Sequence, residues 1–154
     1  MASDKASDSL VLEPSTAGAA LRTALGAEAV LDDDASRSYY ANDIFWQPGI
    51  APQAIVCPAT ADELQRAVRT ATEAGFAIVP RGGGMSYTLG YLPSHGRCVV
   101  VDARRMNRVL EVNADDLYVT AEAGCTWAAL NAALEGTGLR TPYWGPLSGV
   151  NATV

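Results

Sequence analysis

Three consecutive glycines, Gly82-Gly83-Gly84, follow almost directly on the apolar run Phe76-Ala77-Ile78-Val79, with only Pro80-Arg81 between them. The run reads as a buried strand. The glycines remove every side chain just where that strand ends, so the backbone is free to take left-handed dihedrals and to approach a ligand closely. Successive amides turned into one concavity form a nest for an anion. Arg81 adds a positive charge beside it, and the Ser86 and Thr88 hydroxyls add donors. A pyrophosphate suits such a loop. A glycine-rich hairpin loop with no ligand is the competing reading.

Two familiar phosphate loops fail against this stretch. The dinucleotide fingerprint G-x-G-x-x-G needs a third glycine at position 87, which is Tyr87, and a helix where Gly90 and Pro93 stand. The nucleotide-triphosphate loop needs a Lys after its glycines, and none follows.

The elements around the loop are legible. A helix spans Ser15 to Leu25 and stops at Gly26, and a short helix over Ser36 to Ala41 presents Tyr39 and Tyr40. Ala54 to Cys57 is a strand. Thr60 to Glu63 is a capping box, after which Leu64, Ala67, Val68 and Ala71 mark a half-buried helix ended by Gly75. With Phe76 to Val79 this makes a strand-helix-strand unit, for which parallel pairing with a right-handed crossover is expected. Strands at Cys98 to Val101, Val109 to Val112 and Leu117 to Ala121 follow, the last two joined by the turn Asn113-Ala114-Asp115-Asp116. Thr126 caps a final helix carrying Trp127, Leu130 and Leu134, ended by Gly136 or Gly138.

Loop, strands and flanking segments resemble the FAD-binding domain of the vanillyl-alcohol-oxidase and p-cresol-methylhydroxylase type. The likeness rests on Pro80 to Thr88, on Met106-Asn107-Arg108-Val109-Leu110-Glu111-Val112-Asn113 and on Ala123-Gly124-Cys125-Thr126-Trp127, in that order and spacing. It implies an α+β fold, a small strand-helix-strand subdomain followed by a mostly antiparallel sheet with helices. It divides the chain into a disordered leader at 1–14, a helical and loop lead-in at 15–53, and an FAD-binding domain at 54–154 that is incomplete at its carboxyl end. The loop residues Arg81, Gly82, Gly83, Gly84, Met85, Ser86, Tyr87 and Thr88 would hold the FAD pyrophosphate. A second contact falls on Gly145 to Gly149, taking in Pro146, Leu147, Ser148 and Gly149, and continues to Thr153. Some members attach FAD through a loop histidine; Met85 stands there, so the cofactor would be held without a covalent bond at the loop. Leu89 stands where many members have a further glycine.

The resemblance further implies hydride transfer to FAD from a small alcohol or hydroxy acid, in a longer flavoenzyme whose catalytic residues lie beyond Val154. Two alternatives stay open: the FAD domain of a UDP-N-acetylenolpyruvoylglucosamine reductase, and a noncatalytic anion-binding module. Eleven basic against seventeen acidic residues give a net charge of -6, which argues against a nucleic-acid partner. No apolar run approaches the roughly 20 residues of a bilayer span, and no membrane partner is expected. Leu10-Val11-Leu12 is too short for a secretory signal, so the cytoplasm is the expected compartment.

The remaining candidates read as structural. Cys57, Cys98 and Cys125 form no C-x-x-C pair and suit buried free thiols. His95, the single histidine, sits in the turn Pro93-Ser94-His95-Gly96, and Asp32-Asp33-Asp34 reads as a solvated acidic turn. Tyr39, Tyr40, Phe45 and Trp46 read as packing of the lead-in, while Trp144 either packs or touches the cofactor. No metal set is assigned.

Overall fold

The computed structural model describes residues 16–44, 50–86, 88–145, 147–149 and 151–154. The expected leader at 1–14, together with Phe45, Trp46, Tyr87 and Pro146, lies outside them.

Helix α1 (Thr16–Leu25) buries Ala17 and Leu21 and ends at Gly26, whose φ of 91° only glycine adopts freely. Strand β1 (Val30–Leu31) follows, then α2 (Asp34–Tyr40). The second helix starts two residues before the expected Ser36 because Asp33 caps it, accepting a hydrogen bond from the Ser36 amide at 2.9 Å. That explains the acidic run. Asp32 pairs with Arg22 on α1, Asp33 is the cap and Asp34 reaches Arg37, and no group of metal-binding side chains occurs among the described residues.

Strand β2 (Ala54–Val56) leads into α3 (Ala61–Glu73) and β3 (Ala77–Arg81). The Thr60 hydroxyl caps α3 as expected, accepting from the Glu63 amide at 3.2 Å. The Glu63 carboxylate reaches back to the Ala59 amide at 2.7 Å, one residue earlier than a capping box requires.

Strand β4 (Cys98–Asp102) sets the sheet. All five of its residues are buried, so it needs neighbours on both edges and cover on both faces. It takes the inside position in the order β1-β2-β4-β3, parallel to β2 and to β3, while β1 runs antiparallel to β2. The expected direct pairing of the strands flanking α3 is therefore replaced. Both are parallel as foreseen, but β4 separates them, and β3, only partly buried, takes the edge. The two-residue alternation of the strands divides the core. Ala54, Val56, Val99 and Val101 pack with α1 and α3 on one face; Ile55 and Val100 pack with Tyr40 of α2 on the other.

The second layer is a hairpin of β5 (Val109–Asn113) and β6 (Tyr118–Ala121), covered by α4 (Trp127–Leu134) through Cys125, Leu130 and Leu134. Among the described residues the second sheet holds these two strands alone, because Cys98 to Val101 joins the first sheet instead. Gly124 fixes the two layers together. A Cβ there would overlap the Ala103 carbonyl, and the Gly124 amide donates to the Met106 carbonyl at 2.8 Å.

Candidate functional site

The parallel register aligns Arg81 with Asp102 at the carboxyl ends of β3 and β4. The glycine loop starts there, at the edge where parallel sheets present their ligand crevices. The chain's last segment is brought to the same place from the other layer. Thr126 and Thr153 form an antiparallel bridge, the Trp127 amide donates to the Ala152 carbonyl at 3.1 Å, and the Val154 amide donates to the Cys125 carbonyl at 3.0 Å. Residues 151–154 are thereby strapped to the start of α4 and lie against the glycines.

That approach is what makes the glycines necessary. A Cβ on Gly82 would strike the Thr153 hydroxyl, and one on Gly83 would overlap the Asn151 carbonyl. Positive φ is confined to Gly84, at 69°. Close packing therefore accounts for two of the three glycines and left-handed backbone for the third.

Between loop and segment runs a groove of about 400 Å³. It is lined by Gly82, Gly83, Gly84, Met85, Ser86 and Thr88 from one side, and by Gly145, Leu147, Ser148, Ala152 and Thr153 from the other. Tyr91 and Trp127 complete it. The sequence reading had no signal for Tyr91, which depends on how the chain folds back after the loop. The sequence places Trp127 on the apolar side of its helix and in the Ala123 to Trp127 segment of the resemblance, without marking it as a groove residue. Gly149 does not line the groove. Nor does Trp144, half exposed beside Asn131, Leu134 and Arg140.

Arg81 is placed differently from the sequence expectation. Its side chain is only 8% exposed and sits behind the loop rather than in the groove. Its guanidinium carbon lies 4.5 Å from the Tyr91 ring centre, 5.0 Å from that of Tyr40 and 5.6 Å from that of Tyr39. It also donates to the Asn42 carbonyl at 3.0 Å. Such cation–π stacking offsets part of the cost of taking the guanidinium out of water. Among the described lining residues there is no Lys, Arg, His, Asp or Glu. An anion in the groove would face the loop backbone, the Thr88 and Thr153 hydroxyls, and no carboxylate among the described lining residues. The Ser148 hydroxyl is engaged at 2.5 Å by the Gly145 carbonyl, and Ser86 shares a 2.8 Å hydrogen bond with Thr88.

Tyr40 links this region to the sheet. Its hydroxyl donates to Asp102, which also holds Arg104 through a 2.6 Å ion pair. Burial, then the adjacent Asp102, raise the Tyr40 hydroxyl well above its usual value. Burial opposes the charge on Asp102, but the bonds from Arg104 and Tyr40 outweigh it and hold the carboxyl below its ordinary value. Cys98 and Cys125 are buried free thiols and Cys57 is half buried; burial pushes Cys98 up to about 11. His95 is exposed, its Nδ1 accepting from the Arg97 amide at 3.2 Å.

Fold and groove define an α+β domain with a crevice between the glycine loop and the chain's last segment. Residues 52–154 match the family described as FAD binding domain. The chain belongs to that family, and its fold is of the p-cresol-methylhydroxylase type. It is 32% identical over 117 residues to the glycolate oxidase subunit GlcD of Bacillus subtilis, covering 76% of this chain and 25% of the relative. It is 33% identical over 122 residues to D-2-hydroxyglutarate dehydrogenase of Stutzerimonas stutzeri, covering 79% and 26%. The crystal structure of p-cresol methylhydroxylase with substrate bound superposes with a TM-score of 0.68 at 22% identity, over 80% of this chain and 24% of that one, and so shows the shared fold. The chain thus spans about a quarter of the length of these relatives. Among the described residues no helix is long and apolar enough to cross a membrane.

Proposed function

We propose that this chain holds FAD without a covalent bond, as the cofactor-binding part of an oxidoreductase acting on a small 2-hydroxy acid or related alcohol. The observation that carries the reading is the close approach of Gly82 and Gly83 to Asn151 and Thr153. It leaves a groove between loop and segment that any Cβ at those glycines would disturb. A diphosphate fits that donor set. It needs several short contacts and no carboxylate nearby, and the described lining residues carry none.

In this reading the backbone of Gly82 to Ser86 and the Thr88 hydroxyl hold the diphosphate from one side. Leu147, Ser148 and Thr153 bound the ligand from the other. Tyr87 and Pro146 belong to the same proposal but lie outside the described residues, Gly149 stands away from the groove, and Arg81 acts from behind the loop. Met85 offers no nucleophile for a covalent link to the flavin. FAD, when bound, supplies the hydride acceptor that no side chain provides. The 2-hydroxy acid is favoured because glycolate and D-2-hydroxyglutarate, which name two relatives, share that group. Assignment of the cytoplasm as compartment belongs to the same proposal.

The test is titration of FAD with the purified chain, followed by flavin fluorescence, with ADP as competitor. Saturable quenching that ADP reverses is expected. No saturable binding of either ligand would overturn the reading.

A further inference from the structure

One buried side chain that also borders the groove ties the glycine loop to itself. The Tyr91 hydroxyl lies 2.7 Å from the Gly84 carbonyl oxygen and 2.9 Å from that of Ser86, sharing its proton between them. Tyr91 is itself held. It is 8% exposed, and the Arg81 guanidinium stacks on its ring at 4.5 Å. The same guanidinium fills the space beneath Gly84, where a Cβ would come within 2.7 Å of Nη2. Burial raises the Tyr91 hydroxyl above its usual value, although the Arg81 charge opposes this, so it remains a donor throughout the neutral range.

The consequence follows from peptide geometry. In a trans peptide the carbonyl and the following N–H point in opposite directions. A hydroxyl that draws the Gly84 carbonyl toward Tyr91 therefore turns the Met85 amide away from it. Two carbonyl oxygens, the atoms that would repel a phosphate, are engaged by the same donor. Gly84, at positive φ, has little intrinsic preference for this arrangement over others, so the restraint must come from outside the loop.

We propose that Tyr91 is a positioning residue for the anion-binding state of the glycine loop, its hydroxyl fixing the Gly84 and Ser86 carbonyls while Arg81 braces ring and turn from below. The proposal rests on the FAD reading above and adds to it the part that sets amide direction. It also gives Arg81 a role its sequence position did not suggest: a brace for the loop rather than a ligand of the phosphate.

Tyr91→Phe keeps the ring on Arg81 and deletes only the hydroxyl. Dissociation constants for FAD and for ADP, measured well below the melting temperature of both proteins, are expected to rise together by about tenfold. The equal factor is the readout that separates positioning from general loss of stability, because the two ligands share only the ADP portion. Incorporation of 4-aminophenylalanine at position 91, whose amine can donate to both carbonyls, is expected to restore most of the affinity; it also decides the matter should Tyr91→Phe fold poorly. A change under twofold for ADP, or a loss confined to FAD, would overturn the proposal while leaving the FAD reading intact. If the unmodified chain binds neither ligand, both fall.

Discussion

Gly83→Ala is the smallest change that tests the architecture of the groove. The added Cβ would overlap the carbonyl oxygen and carbon of Asn151 and lie 3.4 Å from the Ala152 Cα. These are backbone atoms, so no side chain can swing aside, and relief requires the loop and residues 151–153 to part. The segment resists because the Trp127–Ala152 and Val154–Cys125 hydrogen bonds hold it to α4. Overpacking of this kind costs about 1–3 kcal/mol, and weakening the two strap bonds adds about 0.5–1.5 kcal/mol each. A total of about 2–6 kcal/mol corresponds to a fall in melting temperature of roughly 4–24 °C for a chain of this size. Gly149→Ala is the control: a Cβ there meets nothing within 4 Å and its φ is not positive. Thermal unfolding followed by circular dichroism, with FAD titration in parallel, reads both effects. If Gly83→Ala melts within 1–2 °C of the parent, as the control should, the loop and the segment are not in contact and the groove is wrongly built.

Two further predictions concern the surroundings of the site. Asp102→Ala leaves the buried Tyr40 hydroxyl without its acceptor and is expected to cost about 1–3 kcal/mol. Because the folded-state value of Asp102 lies below the ordinary 3.8, its contribution is present above that value and lost as pH falls through the folded one. The parent's melting temperature should therefore drop more steeply than the variant's below about pH 4, and parallel curves would refute the assignment. Leu89 sits at a φ of 63°, a conformation that costs a non-glycine residue about 1–2 kcal/mol. Leu89→Gly should stabilise the chain slightly, by up to about 1 kcal/mol after glycine's greater unfolded-state entropy is counted; a loss above that would show that the leucine side chain is needed.

Local signals carried most of the fold. The caps at Thr60 and Thr126, the stops at Gly26 and Gly75, and the unbroken apolar runs Ala54 to Val56 and Cys98 to Val101 each depend on neighbours a few residues away, and these elements form where they are expected. Sheet order was less legible. It follows from a competition for the inside position, which β4 takes because both of its faces are apolar and β3 is only half so. The two walls of the groove were legible through the family resemblance. The role of Arg81 was not, since a basic residue beside a glycine loop reads as a phosphate ligand until three tyrosines from distant positions enclose it. Leu89 shows the resemblance and the structure meeting. The position at which the resemblance implies a glycine has the left-handed backbone that glycine would favour.

The electrostatics of the groove lead to a prediction of opposite sign from the one the sequence invites. If Arg81 ion-paired with the diphosphate at an exposed site, salt would screen the pair and FAD affinity would fall as ionic strength rose. In the structure its guanidinium is enclosed by tyrosine rings, and the described lining of the groove holds no charged side chain. The diphosphate then meets short-range contacts with backbone dipoles, which salt scarcely screens, within a protein of net charge -6 that repels it at longer range. Salt weakens that repulsion, since the screening length shrinks from about 30 Å at 0.01 M to about 10 Å at 0.1 M. Affinity for FAD should accordingly hold steady or rise modestly over that interval. Arg81→Gln should change the affinity without changing this slope, because the charge it removes lies behind the loop. A severalfold fall in affinity over the same interval, abolished by Arg81→Gln, would return Arg81 to the groove as a phosphate ligand and remove the brace from the account of the loop.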